Sequence, residues 1–101
     1  MKFKIKGKDV ELKYTFNSFR YMEDLEVKEL EEMETKPFKV PRITQTLLIG
    51  AVNHSPNKKF SEKDVYEALE KYVEKDSVAT LLEELSKLLE KSAFFKNLQE
   101  K

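Results

Sequence analysis

The chain begins with an alternation of period two. Phe3 and Ile5 point one way and Lys2, Lys4 and Lys6 the other, and after Gly7 and Lys8 the pattern resumes with Val10, Leu12 and Tyr14. Gly7 at the first central position suits a two-residue type II′ turn. The expected register pairs Lys6 with Asp9, Ile5 with Val10, Lys4 with Glu11 and Phe3 with Leu12, placing apolar pairs on one face and opposite charges on the other. An isolated hairpin is marginal in water, so this one is expected to cover helices.

The period then becomes helical. Asn17 or Ser18 is the expected N-cap of a helix over 18–25, with Phe16, Phe19 and Met22 on one stripe. Glu23 and Glu26 interrupt that stripe, which predicts a break near 25–27 and a second short helical turn carrying Val27, Leu30 and Met33. Pro37 and Pro41 make 35–42 an extended connector.

Over 43–54 the apolar residues Ile43, Leu47, Leu48, Ile49, Ala51 and Val52 point in nearly every direction, as in a central buried helix. Gly50 in that helix predicts a close approach by another segment. Ser61 with Asp64 forms a capping box, Phe60 can staple against Val65, and Val65, Ala68, Leu69, Tyr72 and Val73 make the core stripe that follows. A last helix starts at Asp76 or Ser77 and carries a seam of Val78, Leu81, Leu82, Leu85, Leu88 and Leu89. Phe94, Phe95 and Leu98 project away from that seam. Either the helix ends near Ser92 and the tail folds back, or these three residues form a solvent-facing patch that binds a partner.

The fold class expected is therefore α+β and mostly helical, an N-terminal two-stranded β-hairpin packed on four to five α-helices. It is one domain over 1–101, with the hairpin at 1–15, a helical core at 16–93 and a tail at 94–101. A length of 101 residues supports one modest core.

Composition narrows the chemistry. There are 19 basic and 19 acidic residues, no Cys, one His and two Gly. Disulfides, thiolate metal sites and cysteine nucleophiles are excluded, and phosphate loops have little to work with. His54 is the one imidazole, expected to cap or pack at the end of the middle helix. No glycine elbow surrounds a serine, no calcium-loop pattern is present, and the Glu-rich stretches alternate with Lys as solvated i to i+4 pairs do. Neither a catalytic centre, a metal site nor a cofactor is expected. The longest apolar stretch falls far short of the ~20 residues of a membrane span, and no targeting run opens the chain, so a cytoplasmic chain is expected without membrane, nucleic-acid or small-molecule partners. The alternative is a small nucleic-acid-binding regulator that uses the Lys-rich hairpin as a wing.

The order of elements resembles the small tail assembly chaperones of long-tailed bacteriophages, in particular those of phages and prophages of Gram-positive bacteria. The resemblance rests on MKFKIKGKDVELKY (1–14), TFNSFRYME (15–23), LLIGAVNH (47–54) and FSEKDVYEALE (60–70), and KPFKVP (36–41) departs from it as a longer proline connector. It implies a non-enzymatic protein of the bacterial host cell, absent from the mature virion. Such a chaperone binds the long helical tape measure protein, keeping it soluble until tail tube subunits polymerise around it. The tail tube protein is a possible further partner, as is a second copy of the chain. Family members often occur in two lengths through translational frameshifting, and this chain corresponds to the short form.

Overall fold

In the computed structural model, residues 1–23, 25, 32 and 35–99 are described. Strands β1 (Lys2–Ile5) and β2 (Lys8–Glu11) pair antiparallel, with Lys2 opposite Glu11, Phe3 opposite Val10, Lys4 opposite Asp9 and Ile5 opposite Lys8. This register is displaced by two residues from the expected one. The turn is Lys6-Gly7, with φ of 52° and 77°, so both central residues are left-handed as a type I′ turn requires. A slip of two leaves every side chain on its original face, so alternation alone does not distinguish the registers. Two features favour the observed one. Lys2 meets Glu11, whereas the expected pairing would bring Lys13 opposite Lys2. Lys13 and Tyr14 are also released to the middle helix, where the Lys13 N–H donates to the Ala51 carbonyl at 3.1 Å and the Tyr14 hydroxyl to the Leu47 carbonyl at 2.8 Å. Burial pushes the Tyr14 phenol well above its usual pKa.

Helix α1 is only Phe16–Arg20, and its N-cap is Thr15 instead of Asn17 or Ser18. Thr15 and Ser18 cap each other reciprocally, Ser18 Oγ accepting from the Thr15 N–H at 2.9 Å, while the Thr15 hydroxyl donates to the His54 carbonyl at 2.7 Å. The helix ends at Arg20, so Met22 lies beyond it and the expected stripe does not form as one helical face: Met22 is buried while Phe16 is 67% exposed. The expected short helix bearing Val27, Leu30 and Met33 lies outside the described residues.

The proline connector is not extended throughout. Pro37–Lys39 forms a 3-10 turn, and α2 (Val40–Val52) begins three residues earlier than expected, with Pro41 in its first turn. There the missing N–H removes no intrahelical bond, so this proline opens a helix instead of excluding one. Ile43, Leu47 and Leu48 are fully buried, each contributing roughly 1.5–3 kcal/mol. Helix α2 is central as expected, packing against α1, α3 (Glu62–Val73) and α4 (Val78–Glu90). The Ser61 and Asp64 capping box forms, Ser61 Oγ accepting from the Asp64 N–H at 3.1 Å.

Helix α4 ends at Glu90, as expected near Ser92, and a separate short helix follows. Ser92 Oγ donates to the Leu89 carbonyl at 2.8 Å and accepts from the Phe95 N–H at 3.3 Å. This starts α5 (Ala93–Gln99) and returns Phe95 to the core at 5% exposure.

Candidate protein-docking surface

Helix α3 carries more apolar width than the core covers. Val65, Ala68 and Tyr72 form one ridge, with Val65 and Ala68 buried and Tyr72 partly so. Tyr66, Leu69 and Val73, one position further round, form a second ridge at the same i, i+3, i+7 spacing. Tyr66 and Val73 on that ridge are 53% and 46% exposed. On α4, Leu81, Leu85 and Leu89 turn inward while Val78 and Leu82 stay at the edge.

The first turn of α2 lies between these ridges. Pro41 and Thr44 form the floor of a groove of 230 Å³ walled by Tyr66, Leu69, Val73 and Val78. A second, wider groove of 660 Å³ runs along α4 past Val40, Val78, Ala79 and Leu82. Val78 lines both, so the two form one apolar surface. Phe38, in the turn just before α2, is 98% exposed.

The rim is acidic. Glu70 lines the first groove, and Glu83, Lys87 and Glu90 line the second, with Lys87 Nζ 3.1 Å from Glu83. The Glu70 carboxylate raises the pKa of the neighbouring Tyr66 phenol by hydrogen bonding to its protonated form. This arrangement can take up an apolar helical ridge flanked by basic residues.

The residues singled out in the sequence have other positions. Phe95 is a core residue, so in this fold its ring is not presented to a partner. Phe94 and Leu98 belong to α5, and their side chains lie outside the described residues. His54 is structural as expected. Its Nε2 lies 3.1 Å from the Glu11 carbonyl oxygen and ties the hairpin to the end of α2. Among the Lys residues of the proposed wing, Lys6 is held by Asp64 at 2.9 Å.

Sequence reasoning passed over Tyr66 and Phe38. Val73, expected in the core stripe, is instead 46% exposed and shares an i, i+3, i+7 ridge with Tyr66 and Leu69, the spacing that was the available signal for Tyr66. Sequence reasoning also passed over Asn53, which is fully buried. The Asn53 Oδ1 accepts from the N–H groups of Lys59 and Phe60, both at 2.9 Å, and its Nδ2 donates to the Phe60 carbonyl at 2.9 Å. These bonds organise the loop between α2 and α3.

Among the described residues, no three acidic or His side chains converge as metal ligands, and no helix is long and apolar enough to cross a membrane. Comparison with protein-family models, curated proteins and solved structures finds no match for this chain.

Proposed function

We propose that this chain is a bacteriophage tail assembly chaperone, which binds the tape measure protein and keeps it soluble until the tail tube polymerises. The observation that carries this reading is the apolar surface centred on Val78, flanked by the exposed Tyr66 and Val73. Contiguous apolar surface is unfavourable in water unless a partner covers it. A groove between helices suits an amphipathic client helix, and its acidic rim selects a client with Lys or Arg beside the apolar stripe. Each contact of this size is weak. Many copies along one long client give firm coverage through high effective concentration, while the Lys and Glu elsewhere on the surface keep the coated complex in solution.

The test is co-expression with a long helical tape measure protein as the client. The client is expected in the soluble fraction and to co-purify only when this chain is present. An equally soluble, or equally insoluble, client with and without it contradicts the reading.

A further inference from the structure

The two edges of the hairpin are treated differently. The Leu12 N–H donates to the Met1 carbonyl at 2.9 Å. In this register that makes Met1 with Leu12, Phe3 with Val10 and Ile5 with Lys8 the hydrogen-bonded pairs. The backbone groups of Lys2 and Lys4 therefore point away from β2, and those of Asp9 and Glu11 away from β1.

On the β2 side His54 engages the Glu11 carbonyl, and just beyond the strand the Lys13 N–H bonds to Ala51, so that edge is anchored to the middle helix at its far end. On the β1 side, no described hydrogen bond engages the outward N–H and C=O of Lys2 and Lys4. A groove of 550 Å³ opens beside this edge, lined by Phe3 and Lys4 of β1 and by Ala68 and Tyr72 of α3, with no β2 residue; its helical wall also carries acidic and basic side chains in mixture, Glu67 and Lys71 among them. Phe3 and Tyr72, with ring centroids 5.3 Å apart, supply its aromatic wall.

The geometry points to strand addition at β1: an extended peptide of alternating acidic and apolar residues pairs with Lys2 and Lys4 and lays its apolar side chain beside Phe3 and Tyr72. Charge decides the occupant. Both side chains are exposed, and among the described residues neither the Lys2 nor the Lys4 ammonium has an ion pair, although Glu11 and Asp9 stand opposite them on β2. A strand added through the groups of Lys2 and Lys4 places its own residues directly opposite them. A second copy of β1 would set Lys2 against Lys4 twice, which like-charge repulsion opposes, whereas Glu-apolar-Glu places a carboxylate opposite each lysine. This site is separate from the Val78 surface and does not depend on the chaperone reading.

The probe is a short blocked peptide containing Glu-Val-Glu, with Lys-Val-Lys in the same frame as control, added at millimolar concentration while backbone amides are followed by NMR hydrogen exchange. The Glu peptide is expected to slow exchange at Lys2 and Lys4 at least tenfold and the Lys peptide to leave it unchanged. Lys4→Pro removes one outward N–H without touching the ladder to β2, a substitution an edge strand accepts, and is expected to abolish the protection. Lys4→Glu retains the backbone and is expected to shift preference towards the Lys peptide. Absence of protection by the Glu peptide, equal protection by both peptides, binding undiminished by Lys4→Pro, or unaltered preference in Lys4→Glu would each overturn the proposal.

Discussion

The Met22 side chain occupies the space a Cβ on Gly50 would need. A methyl group built there lies against the Met22 sulfur, 2.6 Å from its Cγ and 3.1 Å from the Ser18 carbonyl oxygen. The glycine of α2 thus sets how closely the segment after α1 approaches the central helix.

Gly50→Ala is expected to destabilise the fold. Alanine favours the helix by about 0.5–1 kcal/mol, but overpacking against the Met22 side chain costs about 1–3 kcal/mol, with the Ser18 oxygen a lesser contact. Urea denaturation reads the net loss. Most of it should disappear when Gly50→Ala is made together with Met22→Ala, because the two residues share one space.

Phe95→Ala should lower stability by about 3–5 kcal/mol, as for a buried aromatic that leaves a cavity. Phe38→Ala, at a ring 98% exposed, should change it by less than about 0.5 kcal/mol. Denaturation midpoints of the two variants, measured side by side, check both values.

What was legible in the sequence was what depends on local pattern. The faces of the hairpin, the capping box of Ser61 with Asp64, the buried middle helix and the close approach at Gly50 all follow from spacing and residue type. The register was not legible, because a slip of two residues preserves both faces, and the deciding bonds of Lys13 and Tyr14 reach a helix more than thirty residues away. The start of α2 was hidden because Pro41 reads equally as a connector residue or as a first-turn residue. Phe95 was left between two readings until the cap formed by Ser92 placed it in the core. On the docking surface, the ridge of Tyr66, Leu69 and Val73 was partly visible, but that Val78 joins it to α4 depends on how three helices pack.

Asn53→Ala should remove the three bonds the Asn53 side chain makes to the loop between α2 and α3 and leave the N–H groups of Lys59 and Phe60 without that acceptor. Each such group left unsatisfied in a buried setting costs roughly 1–3 kcal/mol. The expected result is a clear fall in denaturation midpoint, with accelerated exchange of the Lys59 and Phe60 amides. Asn53→Asp should restore the two bonds accepted by Oδ1 and lose the one donated by Nδ2.

Asp64 links two elements, receiving the Lys6 ammonium at 2.9 Å and the Ser61 N–H at 3.2 Å. The hydrogen bond from Lys6, then that from Ser61, hold its carboxyl below the usual 3.8. A depressed carboxylate adds stability that is complete above its unfolded pKa and lost as pH falls through the folded value. Lys6 is raised by the same bond, so its contribution is complete below 10.5 and lost as pH rises through its folded pKa. Asp64→Asn should therefore flatten the stability profile below about pH 4 and again above about pH 10. Thermal denaturation across that range reads both limbs.

The surface around Val78 is the proposed seat of a helical client. Its most direct test is the client's soluble fraction on co-expression with the wild-type chain and with Tyr66→Lys combined with Val73→Lys. Both side chains are about half exposed, so the variant should fold and keep its denaturation midpoint. The folded variant is expected no longer to keep the client in solution. Full rescue by the folded variant would contradict it.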